Sequence, residues 1–297
     1  MGSEVGSQAS RAQSENLKLL TMNQEIRRIR MPPLMAASWS PHPGSPLFAP
    51  SSRAASSLHV LHMESLSARM YIALYTSLAT YVDDVYDDQP NLVNAFCHNF
   101  VMHLPQETAV LRAFDQLLRE TSNHFDGIQA NFIIASTMYF MNGVVLEHDI
   151  RPLEIKTSNL PQFLRGLSGD SFSFCIFIFP KDVPLNSYIQ ALPSMMDYVD
   201  YMNDVLSFYK EEVNGEDQNI ISILSMQHGV PKTVILEQLA DQVASNYVSA
   251  NDILRTSSDA AQADWRRFAR GYVSFHVSYG TRYRLHEVFQ GSEDSTS

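Results

Sequence analysis

From about Leu58 onward, apolar residues recur at intervals of three and four along most of this chain. Because this repeat matches one face of an α-helix, it predicts helices rather than strands. Clear alternating runs and two-residue hairpin turns of β-structure do not stand out in the sequence. The sequence therefore predicts an all-α protein. Two stretches that show the repeat are Val110, Leu111, Phe114, Leu117 and Leu118, and Val234, Ile235, Leu239 and Val243.

Prolines and one Asn-Gly pair divide this helical region. A proline removes a backbone donor, and a glycine tolerates the conformations that end a helix. Residues 58–290 are thus expected to form one helical domain, which is long enough to enclose a cavity. The predicted breaks are Pro90, Pro105, Pro152, Pro161, Pro180–Pro184, Asn214-Gly215 and Pro231.

Both ends of the chain differ from this domain. Met31–Pro46 is rich in Pro and Ser, and more serines follow it with little apolar periodicity. Such a composition buries too little apolar surface to offset the entropy lost on ordering. Residues 1–57 and the tail 291–297 are therefore predicted to be disordered.

Charge and cysteine content exclude several classes of function. The net charge is −11, which argues against a nucleic-acid partner. Cys97 and Cys175 are too few for a disulfide framework, which indicates a reducing compartment. The most apolar short run, Phe172–Phe179, is far below membrane-span length and predicts a buried helix or strand. A soluble, cytoplasmic protein is expected.

One segment places oxygen donors on successive helical turns. Asn203, Ser207 and Glu211 are spaced four apart and so lie along one stripe of a helix. An amide oxygen, a hydroxyl and a carboxylate are hard ligands of the kind that Mg²⁺ takes. A solvated helix face explains this segment equally well when it is considered alone.

A second segment, Asp83-Asp84-Val85-Tyr86-Asp87-Asp88, crowds carboxylates at the end of an apolar stretch. Like charges four residues apart destabilise a helix, and carboxylates near apolar surface need a neutralising cation. A solvated helix end would explain it alone. Two oxygen-rich helical segments more than a hundred residues apart favour a shared metal site.

Together with the pair Arg282-Tyr283, these segments resemble class I terpene cyclases, in particular the fungal trichodiene synthase family of sesquiterpene synthases. The resemblance runs over most of residues 58–290. It implies a class I terpenoid synthase bundle of helices around a deep apolar pocket, with both motifs at the mouth. The segments that carry it are Leu160–Arg165, Asn203–Glu211, Gly271–His276 and Arg282–Glu287.

The resemblance also implies a Mg²⁺-dependent reaction with three ions and a prenyl diphosphate substrate, farnesyl diphosphate. A homodimer is compatible with it. A polyanionic substrate needs bridging metals and cations in so acidic a protein. The implied metal ligands are Asp83, Asp84, Asp87, Asn203, Ser207 and Glu211, and the implied diphosphate donors are Arg165, Lys210, Arg282 and Tyr283.

In related cyclases a diphosphate-sensing arginine precedes a helix break, and Arg165 followed by Ser168-Gly169 matches that arrangement. Gly169 is expected to supply the dihedral angles of the break. An aromatic cavity would stabilise the carbocation that forms after ionisation. Candidates for its wall are Tyr75, Phe132, Tyr139, Phe140, Phe172, Phe174, Phe177, Met196, Met202 and Tyr272.

Three alternatives stay open at this point. One is a prenyl diphosphate synthase on the same fold, although that reaction usually uses a second aspartate-rich motif. Another is a catalytically inactive isoprenoid-binding relative, since the chain is shorter than the family at both ends and between Arg165 and Asn203. The third is a metal phosphohydrolase that uses His148-Asp149 with His98, His103 and His124.

Overall fold

Helices account for all of the regular secondary structure that a computed structural model describes in this chain, as predicted. The predicted disordered segment, the tail, Asp87 and Asp88 lie outside the described residues. In the described part of the chain, no helix is long and apolar enough to cross a membrane. The described residues are 66–86, 90–153, 155–157, 159–278 and 280–290.

Within the described ranges, thirteen α-helices follow one another, with single turns of 3₁₀-helix at Thr121–Asn123 and Leu185–Ser187. They are α1 Leu66–Val85, α2 Pro90–Asn94, α3 Phe96–Val101, α4 Ala109–Arg119, α5 Gly127–Ile150, α6 Asn159–Ser168, α7 Ser171–Phe177, α8 Leu192–Asn214, α9 Ile220–His228, α10 Lys232–Ser257, α11 Asp259–Ser278, α12 Gly280–Tyr283 and α13 Leu285–Gln290.

Local sequence explains where these helices begin and end. The Thr108 side chain accepts a hydrogen bond from the backbone N–H of Leu111 and so caps α4. Gly215 ends α8 with φ of 74°, a left-handed conformation that glycine adopts without a side-chain clash. Pro161 was predicted to break a helix, but it lies in the first turn of α6, where backbone donors need no helical partner.

The core forms where the apolar faces of these helices meet. Helix α8 packs mainly against α10 and α7, and α5 packs against α6. The apolar run predicted as a buried helix or strand is helix α7, in which Cys175, Ile176 and Phe177 are fully buried. This packing surrounds α8 and leaves only part of its surface for other contacts.

The two helices that carry the predicted metal ligands are amphipathic. Helix α1 buries Tyr71, Ile72, Tyr75 and Val82 on one face, so that its acidic end emerges at the edge of the core. Helix α8 buries residues on most sides, including Ser207. The fold therefore holds one predicted ligand set at a helix end and the other in the middle of a packed helix.

Candidate active site

A cavity of about 230 Å³ opens between α1, α6, α8 and α11. Residues of both predicted metal-binding segments line it, since Asp83 reaches it from α1 and Asn203 from α8. Arg165, Arg282 and Tyr283 line it too. The structure thus brings residues that lie far apart in the sequence together around one cavity.

At the opening, Arg282 faces the two aspartates that end α1, and we call Asp83, Asp84 and Arg282 the mouth cluster. The Nη1 atom of Arg282 donates to both carboxylate oxygens of Asp84, at 3.0 and 3.1 Å. Its Nη2 atom lies 3.8 Å from Asp83. Acids at a helix C-terminus meet the negative end of the helix dipole, so Arg282 offsets an unfavourable arrangement.

The mouth cluster stays open to water. The side chains of Asp83 and Asp84 are 62% and 37% exposed. The protein packed around Asp83 raises the pKa of this carboxyl group, while Arg282 lowers it. Because most of the Asp83 side chain is exposed, water limits the size of that rise, and the group is ready to bind a cation.

Deeper in the cavity, Arg165 is held by three groups of α8. Its Nε atom is 3.0 Å from Asp204, and its Nη2 atom donates to the carbonyl oxygen of Asp200 at 3.0 Å. Nη2 also donates to Oδ1 of Asn203 at 3.1 Å. Burial lowers the pKa of Arg165, but the nearby carboxylates, Asp204 first, raise it overall, so the guanidinium stays charged. Arg165 therefore contacts the oxygen that the sequence predicts as a metal ligand.

His276 completes this arrangement from α11. Its Nε2 atom lies 3.2 Å from Nδ2 of Asn203, and its Nδ1 atom lies 2.8 Å from the carbonyl oxygen of Tyr272. Burial lowers the pKa of His276 to about 4, so that the ring is neutral. We call Arg165, Asn203, Asp204 and His276 the buried network.

The remaining predicted residues of α8 lie beside this network. Ser207 is buried, while Lys210 and Glu211 are half-buried. Burial raises the pKa of Glu211, and the Ser207 hydroxyl and Lys210 oppose that rise. The Nζ atom of Lys210 is 3.8 Å from Glu216. These three side chains, like Asp84, do not contribute to the cavity lining among the described residues.

A break between α6 and α7 lies at the cavity wall, where the resemblance places one. Residue Asp170, rather than Gly169, adopts the left-handed conformation, with φ of 49°. Gly169 is needed for space instead, because a Cβ atom there would come within 2.0 Å of Oδ1 of Asp200. Ser168 donates to Glu147 at 2.5 Å.

Two buried carboxyl groups flank this break. Burial raises the pKa of Asp200 to about 7, opposed by Arg165, and its Oδ1 atom has no hydrogen-bond partner among the described residues. Asp170 accepts hydrogen bonds from Tyr75 at 2.6 Å and Ser136 at 2.8 Å. Burial raises the pKa of Asp170 to about 6. Both groups are protonated at higher pH than a solvated aspartate.

Aromatic side chains form much of the rest of the cavity wall. Of the ten candidates from the sequence, Phe140, Phe174 and Tyr272 line the cavity. Phe268 and Phe275 also line it, although the sequence analysis did not select them. Tyr139 is 61% exposed and cannot serve as wall. The other candidates do not reach the lining in the described structure and are Tyr75, Phe132, Phe172, Phe177, Met196 and Met202.

The donors around the cavity suit a hard divalent cation. The carboxylates of Asp83 and Asp84 and the amide oxygen of Asn203 are hard oxygen donors of the kind that Mg²⁺ takes, and Asp83 and Asn203 line one cavity. In the described ranges, no three His, Cys, Asp or Glu side chains form a preformed metal site. Mg²⁺ keeps waters and substrate phosphates in its shell, so few protein ligands are needed.

The histidines of the phosphohydrolase alternative lie on separate elements. His103 contacts Arg119, His124 lies against Tyr71, and His148 pairs with Asp149 at the surface. His98 lies on α3. They do not converge in the part of the chain that the structure describes.

Four residues of this region were not predicted from the sequence as site residues, namely His276, Asp204, Glu147 and Asp170. The four-residue spacing of Asp200 and Asp204 is a signal that could have identified Asp204. No comparable spacing marks the other three, because their partners come from distant helices.

Comparison with known proteins gives consistent relatives. The sequence profile of the family described as Trichodiene synthase (TRI5) matches residues 50–297. The chain is 36% identical over 234 residues to the alpha-cuprenene synthase COP6 of Coprinopsis cinerea, covering 78% of this chain and 71% of that protein. It is 35% identical over 239 residues to terpene synthase BipA of Cochliobolus sativus, covering 77% and 72%.

A solved structure shares the fold. It is the linalool/nerolidol synthase from Streptomyces clavuligerus in complex with 2-fluorogeranyl diphosphate, with a TM-score of 0.63. The match covers 78% of this chain and 88% of that chain at 14% sequence identity.

Proposed function

The chain belongs to the trichodiene synthase family and has the helical fold of class I terpene synthases, and from this premise we propose its substrate and cofactor. As a terpene synthase it is a lyase that acts on a prenyl diphosphate. We propose that it ionises farnesyl diphosphate with Mg²⁺ and cyclises the product to a hydrocarbon or alcohol, releasing diphosphate. The choice of farnesyl diphosphate follows from family membership.

One observation carries this proposal. Asp83 and Asn203, from the two predicted metal-binding segments, line the same cavity as Arg165, Arg282 and Tyr283. Oxygen ligands for metal and cationic donors for phosphate therefore surround one opening, and aromatic side chains form the wall behind it. A diphosphate at the opening would leave its prenyl chain facing that wall.

One set of side chains is proposed to bind the metal ions. Asp83, Asp84, Asn203, Ser207 and Glu211 would hold Mg²⁺, and Asp87 is proposed with them although it lies outside the described residues. When bound, Mg²⁺ neutralises the diphosphate and stabilises its departure with the electron pair of the broken carbon–oxygen bond.

Basic and phenolic groups would bind the same diphosphate. The planar forks of Arg165 and Arg282 match phosphate oxygens, Lys210 supplies a compact charge, and the Tyr283 hydroxyl donates a hydrogen bond. The faces of Phe174, Phe268, Tyr272 and other rings stabilise positive charge in the prenyl chain and keep water away. To give a hydrocarbon, the final carbocation would lose a proton, which the released diphosphate can accept. To give an alcohol, it would instead bind one water molecule, which would lose a proton to the same diphosphate.

Location in the cytoplasm is part of the proposal. Cys97 and Cys175 are both free thiols, which agrees with a reducing compartment.

The test is product analysis. We expect purified protein with farnesyl diphosphate and Mg²⁺ to release one inorganic diphosphate for each volatile hydrocarbon or alcohol found by gas chromatography and mass spectrometry. A longer prenyl diphosphate after addition of isopentenyl diphosphate would instead identify an elongating enzyme. Binding of substrate without release of diphosphate would identify an inactive relative.

A control variant at His148 distinguishes the proposed terpene synthase from the alternative of a metal phosphohydrolase. His148 is on the surface beside Asp149 and outside the cavity lining. The His148→Ala variant should keep wild-type turnover. A loss of most activity in that variant would contradict the assignment of the reaction to the cavity.

A further inference from the structure

We propose that His276 is a positioning residue that holds the amide of Asn203 with its oxygen turned toward the metal-binding side of the cavity. The inference rests on the proposed function, because it gives His276 a role through a metal ligand.

His276 is a polar side chain inside an aromatic wall. It is 1% exposed, and its ring centroid lies 4.5 Å from that of Tyr272 and 4.4 Å from that of Tyr283. A phenyl ring would fill this space without two nitrogen atoms that need hydrogen-bond partners. The two hydrogen bonds of the imidazole therefore call for an explanation beyond packing.

Those hydrogen bonds define which nitrogen carries the proton. The carbonyl oxygen of Tyr272 only accepts, so Nδ1 of His276 must donate to it across 2.8 Å. The Nδ2 atom of Asn203 only donates, so Nε2 of His276 must accept across 3.2 Å. The imidazole is neutral with its proton on Nδ1.

A second neighbour checks the orientation of the amide. The Nη2 atom of Arg165 can only donate, and it lies 3.1 Å from the Asn203 atom assigned as Oδ1. The assignment of oxygen and nitrogen therefore follows from two independent partners, one on α6 and one on α11. A reversed amide would place two donors together at Arg165 and two acceptors together at His276.

This orientation matters for a metal ion. Mg²⁺ binds the oxygen of an amide and not its nitrogen. By accepting from Nδ2, His276 selects the amide orientation in which Oδ1 faces Arg165, a residue of the cavity lining. Groups that orient a metal ligand in this way affect metal affinity by about 10- to 100-fold.

Two simpler roles for His276 predict different results. If the ring only fills space, phenylalanine will replace it without a change in metal binding. If the ring is the base of the reaction, it needs a free lone pair, but the lone pair of Nε2 already accepts from Asn203.

The experiment measures Mn²⁺ binding by electron paramagnetic resonance in the presence of inorganic diphosphate, with no turnover. His276→Phe keeps a ring and removes the acceptor, and we expect it to raise the Kd of at least one ion about 10-fold or more. His276→Gln keeps an acceptor near Nε2 and should stay within about 3-fold of wild type. Phe179→Leu, which alters a fully buried ring that stacks on Tyr188 and does not line the cavity in the described structure, is the packing control and should keep the wild-type Kd.

A double variant tests whether His276 acts through Asn203. Asn203→Ala combined with His276→Phe should bind Mn²⁺ no more weakly than Asn203→Ala alone. Independent effects that multiply would overturn the inference, as would an unchanged Kd in His276→Phe when Asn203→Ala weakens binding. If Asn203→Ala itself binds Mn²⁺ like wild type, the proposed metal site is wrong and the inference fails with it.

Nuclear magnetic resonance on the wild-type protein avoids any dependence on how a variant folds. With ¹⁵N-labelled histidine, the His276 signals should show a neutral ring protonated at Nδ1. A proton on Nε2 would overturn the inference.

Discussion

The mouth cluster brings the carboxylate of Asp83 to the cavity and the buried network brings the amide of Asn203 to it, but the fold holds these two side chains very differently. In the mouth cluster, Asp83 is 62% exposed, and the partner shown for it is Arg282, 3.8 Å away. In the buried network, Asn203 is fixed on both sides, by Arg165 at 3.1 Å and by His276 at 3.2 Å. Asp83 is therefore held only loosely, whereas the protein itself fixes the side chain of Asn203.

The physical reason lies in the helices. Asp83 lies at the C-terminal end of α1, where solvent reaches the side chain. Asn203 lies in the middle of α8, which other helices surround. At the end of α1, the space beside Asp83 leaves room for a substrate to enter. In the middle of α8, neighbouring side chains hold Asn203 in one rotamer.

The largest expected effect is on turnover and should be shared by both regions. Asp83→Ala and Asn203→Ala each remove a proposed metal ligand, and we expect turnover of farnesyl diphosphate to fall about 1000-fold, equivalent to about 4 kcal/mol. Diphosphate release measures this. Wild-type turnover in both variants would contradict the metal assignment.

Buried charge should make stability depend on pH. The pKa of Asp200 rises from an ordinary 3.8 to about 7, so between pH 4 and 7 the folded state binds more protons than the unfolded state. The stability linked to Asp200 is complete below pH 4 and is lost as pH rises through 7, by about 1.4 kcal/mol for each pH unit. Urea unfolding should show this slope in wild type relative to Asp200→Asn. If the unfolding free energy of wild type and of Asp200→Asn changed with pH in the same way, the assigned role of Asp200 would be contradicted.

The free energy of unfolding should distinguish the mouth cluster from the buried network, although turnover is expected to fall in variants of both. Asn203→Ala leaves buried hydrogen-bonding groups of Arg165 and His276 without a partner, which we expect to cost about 1 to 3 kcal/mol of unfolding free energy. Asp83→Ala removes an exposed acid from the negative end of a helix dipole and should change stability by less than about 0.5 kcal/mol. Equal losses of unfolding free energy in the two variants, measured by urea unfolding, would contradict the expected difference between the mouth cluster and the buried network.

The smallest expected effect concerns the two arginines. Arg282→Lys loses the forked contact at the exposed mouth, and we expect KM to rise about 10-fold, with the fold unchanged. Arg165→Lys loses the same geometry in a buried position, so it should also lower the unfolding temperature. Steady-state kinetics with thermal unfolding compares them, and identical thermal shifts would argue against the difference in burial.

Periodicity along the chain was enough to predict the helices and to single out the two segments proposed to bind metal, whereas the proposed diphosphate donors came from the family resemblance. The apolar repeat in residues 110–118 became α4, and the apolar run at Phe172–Phe179 became α7. Asp83 and Asn203 could be selected because oxygen donors at four-residue spacing are visible in a sequence. That both of them line one cavity is a property of the fold.

The residues that the sequence analysis missed depend on contacts between distant helices. His276 hydrogen-bonds Asn203 from a position 73 residues away, and Ser136 on α5 reaches Asp170 across 34 residues. The left-handed residue at the break was predicted as Gly169 but is Asp170. The family resemblance and the conformational freedom of glycine suggested Gly169, whereas hydrogen bonds from Tyr75 and Ser136 accompany the unusual conformation of Asp170.

The central claim is that α1 and α8 hold metal ions over one cavity that receives a diphosphate. Anomalous diffraction from crystals soaked with Mn²⁺ and inorganic diphosphate tests it directly. The account predicts Mn²⁺ coordinated by Asp83 and by Asn203, with diphosphate bridging the ions beside Arg165 and Arg282. Mn²⁺ bound away from both residues, or diphosphate bound outside the cavity, would contradict it.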